Sequence, residues 1–482
     1  MSKAKPPRLN RRFLFAAIGV LAILAGGWIW QAVSLRHAVA RALPAVPDLS
    51  ASAPVLRERI IEADQQARVG WSPLEPLAEL ARLYHANGFL PEARTCEVEL
   101  VRLRASDPRW PYRLANLYGS FGQLDEAVPL FRRVAQQEPT YVPVWIRLGD
   151  ALLKQNRPAD AERCYRSALE REPDNAYAHL GLVRCEIAAG EWDLARERLQ
   201  KLTTARPDLR QIWGLLASVE ERLGDSASAA AHRARERSGG DSHEAPDPWL
   251  EELMDDCYDP YRLTVAAAMA EGAGEPSKAL GLLERAAAIA SEDATIQRQI
   301  GNLLAKTGKN AEAREHLERA TRLDPHDADN WNYLIRVLSA SNDREASRRA
   351  LAQGLAYCPE SPGLHLEQGR RLAAEGNLDA AAREFEETRR LRPEESNAYV
   401  ELALMHFRRG QLEAGVGELQ RALTVDPQQP LALILLARYA INTGDEAGAR
   451  EWIRRASLQT KVLPQDRAAV VGEFQRKFGR PP

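Results

Sequence analysis

Glycine falls at positions 88, 122, 190 and 224, always 34 residues or a multiple of it apart, and Asn156 takes the missing rung. A second ladder, Gly274, Gly308, Asn342, Gly376, Gly410 and Gly444, keeps the same interval. Glycine and asparagine most readily adopt positive φ, which a tight turn between two helices often requires. A chain punctuated in this way is confined to a row of helix–turn–helix units, each packed on its neighbours. At 482 residues, 45% of them hydrophobic, it is too long for one compact core and suited to such an array.

The clearest unit is "VPVWIRLGDALLKQNRPADAERCYRSALEREPDN", Val142 to Asn175. Trp145, Leu148, Gly149 and Leu152 recur at the spacing of a first helix, Ala161, Tyr165 and Ala168 at that of a second, and Pro173 closes the unit. Small residues at Gly149 and Ala161 let the helices approach, Trp145 and Tyr165 fill the space between them, and Pro173 stops the second helix. Ala127, Phe131, Val134 and Pro139 repeat the pattern earlier, and Ala313, Leu317, Ala320 and Pro325 repeat it later. The pattern resembles the tetratricopeptide repeat (TPR), and the resemblance covers about eleven units, five from Leu74 and six from Pro260. It implies an all-α superhelical solenoid. Two units depart from it: the one from Asp225 is Ala-rich and lacks the closing proline, and Gly415 stands where alanine is usual.

Ahead of the repeats, residues 1–12 carry five basic groups and no acid, and Phe13 to Leu35 is free of charge. As a helix this run would span roughly 35 Å at about 1.5 Å per residue, enough for a bilayer core. Trp28 and Trp30 would sit near one interface, and the basic flank would hold the N-terminus in the cytoplasm. The expectation is a transmembrane signal anchor at 13–35 in a bacterial inner membrane, single-pass, with the repeats periplasmic. A cleaved signal peptide ending near "HAVA" is the alternative, against which the run is long. Residues 36–73 read as a linker and a capping helix, 74–237 as a first array, 238–259 as an acidic insert, 260–463 as a second array and 464–482 as a C-terminal capping helix.

A formal charge of -2 and a pI near 6.6 supply no field to hold a polyanion, so nucleic acid is not an expected partner. The five cysteines are scattered without metal-ligand spacing and read as small core residues. There is no phosphate-binding glycine loop, HExxH or Gly-x-Ser-x-Gly, so neither enzyme nor cofactor is expected. His365 and His406 fall on packing positions of first helices and read as core or groove-lining residues.

In the resembled family, positions 2, 5, 6, 9, 12 and 13 of a unit tend to face a groove suited to a polypeptide partner. Counted that way, the groove leans basic, with Arg82, Arg113, Arg147, Lys154, Arg184, Arg298, Arg336, Arg370 and Arg438, and includes Asn116 and Asn302. Tyr112, Ile146, Leu180, Leu366, Val400 and Ile434 at position 5 would interleave apolar surface. Extended or amphipathic protein segments with acidic groups would complement it. The resemblance extends to membrane-anchored bacterial scaffolds serving translocation or envelope complex assembly; the alternative is a non-catalytic subunit positioning an envelope polysaccharide or its synthase.

One segment breaks the rhythm. The ladders are 50 residues apart where they meet, from Gly224 to Gly274, and the excess holds "SGGDSHEAPDPWLEELMDDCYDP", Ser238 to Pro260. Between Gly239 and Pro260 it has eight acidic residues and no Lys or Arg. Asp247 is placed to N-cap a short helix with Pro248 at its first position and Trp249, Leu250, Leu253, Met254 and Cys257 along one stripe. The segment is then either a wedge joining two arrays or an acidic plug in the basic groove. A metal held by Asp255, Asp256 and Asp259 is disfavoured because adjacent acids on a short helix diverge.

Overall fold

The computed structural model describes residues 11–237, 245–459 and 462–482, with side chains from residue 26 onward. It comprises two compact units, residues 1–291 and 292–482. Among the described residues every regular element is a helix, and there are no strands.

In the first unit, α1 (Arg11–Ala42) and α2 (Pro54–Val69) precede five helix pairs. These are α3 (Leu74–Ala86) with α4 (Leu90–Leu103), α5 (Arg109–Ser120) with α6 (Leu124–Gln137), α7 (Val142–Lys154) with α8 (Pro158–Leu169), α9 (Ala176–Ala189) with α10 (Trp192–Ala205), and α11 (Arg210–Arg222) with α12 (Ser226–Arg237). The insert follows, as a short α13 (Pro248–Glu251) running into a 3-10 turn at Glu252–Asp256, and then α14 (Pro260–Gly272) and α15 (Pro276–Ile289). That last pair, which the glycine ladder groups with the second array, belongs to the first unit.

The second unit pairs α16 (Ala294–Lys306) with α17 (Asn310–Leu323), α18 (Ala328–Ala340) with α19 (Arg344–Tyr357) and α20 (Pro362–Ala374) with α21 (Leu378–Leu391). It continues with α22 (Ser396–Arg408) and α23 (Leu412–Val425), then α24 (Pro430–Thr443) and α25 (Glu446–Ser457), and ends on α26 (Pro464–Phe478). Val470 and Phe474 of α26 are buried on α24 and α25, closing the apolar end of the row.

Every rung of both ladders has positive φ, including Asn156 at 58° and Asn342 at 57°. The same period appears at helix starts. Asp259, Asp293, Asp327, Ser361, Glu395 and Gln429, 34 apart, each accept a backbone N–H of the helix that follows, satisfying donors the helix leaves open. A third periodic device ties successive units. Trp145, Trp213 and Trp331 donate their indole N–H, and Tyr399 its hydroxyl, to the carbonyl of the proline six residues earlier, at 2.8–3.0 Å; the rings of His179 and His365 bond the equivalent carbonyls.

Close packing explains the helical glycines. The fully buried ring of Tyr165 fills the space beside Gly149 and Gly181, where an added Cβ would lie 2.7 Å and 2.3 Å from it. Phe385 does the same beside Gly369, and the ring of Phe407 occupies the place of a side chain at Gly415, the position where alanine was expected. The unit from Asp225 is a regular helix pair despite lacking its proline. All five cysteines are buried and free, and burial pushes the Cys164 thiol up to about 11 and that of Cys185 to about 12.

The expected inner-membrane localisation needs correction. Among the described residues, no helix is long and apolar enough to cross a membrane. Most of the charge-free run, and residues 1–10 of the basic tail, lie outside the described side chains. In the described part of α1, Val39 is fully buried, Leu35 packs on the same cluster, and Arg36 donates to the Val69 carbonyl at 3.4 Å. That end of α1 is built into the protein core with α2. Leu43 and Leu49 are buried there too, so much of the stretch read as linker is packed.

Overpacking Tyr165 should be costly while an open helical glycine should not. Gly181→Ala is expected to destabilise the first unit by about 1–3 kcal/mol. Gly281→Ala, with nothing within 4 Å, should be neutral or stabilise by up to about 1 kcal/mol. Urea unfolding midpoints of the two variants check this.

Candidate protein-binding groove

The insert does not follow its expected local geometry, and the reason lies in the array. Asp247 makes no side-chain cap to α13. Its carboxylate instead accepts the Tyr112 hydroxyl at 2.5 Å and the Tyr141 hydroxyl at 2.7 Å, with Arg147 Nε at 3.6 Å. The side chain is only 6% exposed, so these partners replace water. Both phenols are held above their usual range, first by burial and then by the Asp247 charge, which keeps them protonated and donating.

Trp249 follows two residues on. Its ring stacks on Tyr141 with centroids 3.8 Å apart and planes at 10°, and meets Tyr112 edge-on at 5.4 Å. Its backbone N–H donates to the Tyr141 hydroxyl, and its carbonyl accepts Arg113 Nε at 3.2 Å and Nη2 at 3.0 Å. Arg113 also pairs with Glu252 at 2.9 Å. Burial pulls the Arg113 guanidinium below its usual range, and the Glu97 and Glu252 carboxylates oppose that shift. Asp256 pairs with Arg82 at 2.8 Å and Arg59 at 3.1 Å. Asn87 donates to the Asp256 carbonyl and accepts the Tyr258 N–H, and Arg59 lies over the Tyr258 ring.

The segment thus runs from α7 past α5 to α3 and α2, against the order of the repeats, with an acid meeting a cation at each step. Leu253 and Cys257 are buried, Trp249 and Leu250 pack on the α5–α8 core, and Met254 is half-buried. Its outer side is held by the last pair of the unit: Arg285 donates to the carbonyls of Met254, Asp255 and Cys257, and Lys278 pairs with Glu251. Features of both expected roles are therefore present, a joint to α14–α15 and an acidic strand lying in a basic groove. Two of the three carboxylates considered for a metal are otherwise engaged: Asp256 holds two arginines and Asp259 caps α14. Among the described residues no cluster of three or more His, Cys, Asp or Glu could hold a metal ion.

Arg82, Arg113 and Arg147 meet the insert, whereas Arg184, on α9, bonds Gln211 and approaches Asp150 at 3.6 Å. In the second unit, Arg298 pairs with Asp327 at 2.6 Å, Arg370 with Glu401 at 2.7 Å and Arg438 with Glu473 of α26 at 3.1 Å. Arg336 donates to Asn302 at 2.7 Å and lies 4.5 Å from the Tyr333 centroid, so its contacts are neutral. Arg336 and Arg370 line one cleft of about 480 Å³ with Asp329, Tyr333 and Glu367.

The apolar position-5 residues behave differently from expectation. Tyr112, Ile146, Leu180, Leu366, Val400 and Ile434 are all buried, filling the space between helices rather than surfacing a groove. Of these Tyr112 reaches the insert, through its hydroxyl. His365 bonds Glu384 and His406 bonds Gln411. Counting helix positions also misses Tyr141, which precedes α7, Arg59 on α2 and Arg285 on a second helix. Only the acidic surplus of the insert hinted that further cations would be needed.

Tyr112→Phe removes one donor from a buried carboxylate. It is expected to destabilise the first unit by about 1–3 kcal/mol, read as a lowered urea midpoint.

Two models of the tetratricopeptide repeat match the chain, one over residues 146–208, 186–242, 366–430 and 406–458, the other over 120–168, 270–329 and 304–366. The putative cellulose synthase operon protein C of Escherichia coli O157:H7 is 33% identical over 151 residues, covering 31% of this chain and 12% of that protein. The cellulose synthase operon protein C of strain K12 is 32% identical over the same shares, so the chain spans about an eighth of the length of these relatives. Among solved structures, yeast Tom70 aligns with a TM-score of 0.40 at 13% identity, covering 84% of this chain and 95% of Tom70. YrrB, described as a TPR protein with an unusual peptide-binding site, aligns at 0.30 and 21% identity over 39% of this chain and 97% of its own. With the repeat models matching from 120 to 242 and from 270 to 458, over turns that all have positive φ, the chain belongs to the tetratricopeptide repeat family.

Proposed function

We propose that this protein is a non-catalytic scaffold that binds extended, acidic segments of other proteins along the first-helix faces of its repeats, with the face carrying Arg298, Asn302, Arg336, Arg370 and Arg438 as the docking surface of the second unit. The observation that carries this reading is chemical. In the first unit, cations of the same kind of row hold an acidic, aromatic strand through Arg82, Arg113 and Arg147. In the second unit the row includes Arg336, whose contacts are to an amide and a ring, lining a cleft able to take a side chain. A carboxylate arriving there would gain a charge-assisted hydrogen bond without first displacing another acid.

Arg370 and Arg438 would exchange an internal carboxylate for one from the partner, so affinity should be modest and salt-sensitive. Recognition would then depend on a row of such exchanges rather than on one deep pocket.

A second reading, a non-catalytic subunit positioning an envelope polysaccharide or its synthase, is favoured by the likeness to cellulose synthase operon protein C. It differs in its ligand: soluble β-glucan oligosaccharides would bind the chain and an acidic peptide would not.

The test is a labelled acidic, aromatic peptide titrated onto the full chain. The Arg336→Glu, Arg370→Glu double variant should keep its helical content and weaken binding at least tenfold. Undiminished binding would return these residues to ordinary solvated surface.

A further inference from the structure

We infer that residues 245–258 are a built-in ligand, and that the groove of α3, α5 and α7 is a second binding site for a partner protein presenting the same chemistry: Asp-Pro-Trp, an acid three residues after the tryptophan and another four residues further on. The inference rests on reading the first-helix faces as peptide-binding, and adds to it a specificity and a competition.

Three observations carry it. The contacts are of the kind a groove makes to a bound peptide, with backbone and side chain both recognised: Arg113 holds the Trp249 carbonyl, Asn87 the Asp256 carbonyl and the Tyr258 N–H, and the Tyr141 hydroxyl the Trp249 N–H. The charged contacts are spaced along the strand, Asp247 by Arg147, Glu252 by Arg113 and Asp256 by Arg82, so each of three successive units contributes one cation. Arg113 has its side chain 3% exposed with the segment in place, and its hydrogen bonds run to Trp249 and Glu252, so the occupant supplies the polar partners of a buried cation.

The segment is also built for exchange. α13 has four residues and the following 3-10 turn five, too short to be stable alone, so its hold comes from the groove on one side and from Arg285 and Lys278 of α15 on the other. A partner segment must outcompete an occupant tethered in the same chain, whose effective concentration is of order mM. The arrangement would hold the first groove closed to weak or non-matching segments and admit a partner that adds contacts beyond the copied motif.

The experiment uses the full chain carrying Arg336→Glu and Arg370→Glu, which removes the second unit's contribution, so that this inference and the proposed function fail separately. The probe is a fluorescein-labelled peptide with the sequence of residues 245–258 and serine for its cysteine. Adding Asp247→Asn, Trp249→Ala and Glu252→Gln loosens the internal occupant without altering the groove. Peptide affinity should rise at least tenfold, to one site per chain, and adding Tyr141→Leu should abolish the gain. Equal affinity with and without the loosening substitutions overturns the inference. Should the loosened variant fail to fold, hydrogen exchange on the unmodified chain decides. The Trp249 and Tyr258 amides should exchange well before the central amides of α5 and α7, and exchange of all of them together would make the segment a permanent part of the fold.

Discussion

Each helix pair turns on one residue held in the left-handed region, at 34-residue intervals from Gly88 to Gly224 and again from Gly274 to Gly444. This backbone constraint brings the second helix back along the first, and the other periodic contacts depend on it. With the turn set, Tyr165 can lie between Gly149 and Gly181, Phe385 against Gly369, and Trp331 can reach the Pro325 carbonyl. Residues other than glycine and asparagine would strain at such positions, which is why no other type occupies a rung.

A row of units leaves the first-helix faces with a surplus of arginines, and the two units satisfy them differently. In the second, Arg298 is paired to the acid that caps α18, and Arg370 and Arg438 to acids of later helices. In the first, Arg82, Arg113 and Arg147 are matched by the insert, whose aromatic residue also stacks on Tyr141. The insert joins α14–α15 to the array as well, through Arg285. Stabilising a joint and filling a groove are compatible roles for one strand, provided the groove contacts exchange more readily than the helices melt.

The turns were legible in the sequence because glycine and asparagine carry a backbone requirement that few other residues meet. The closing prolines and the small–large pairs at Gly149 and Tyr165 were legible for a similar steric reason. Two kinds of information were not. Asp247 has the sequence context of an N-cap, but a buried pair of phenolic hydroxyls 106 and 135 residues away outbids the local backbone. The groove positions inherited from the repeat pattern found Arg82, Arg113 and Arg147 but took buried position-5 residues for surface, and passed over Tyr141 and Arg59, which stand outside first-helix counting. The hydrophobic run near the N-terminus has the length of a membrane span, yet at its described end Leu35 and Val39 pack on α2 and its neighbours.

The account depends most on the contact between the insert and the groove. A double-mutant cycle on Trp249→Ala and Tyr141→Ala, followed on the unfolding of the first unit in urea, measures it directly. The stacked rings should give a coupling of about 0.5–1.5 kcal/mol beyond the sum of the single changes. Additivity within about 0.3 kcal/mol would mean that the two rings do not meet, and would contradict an insert seated in the groove.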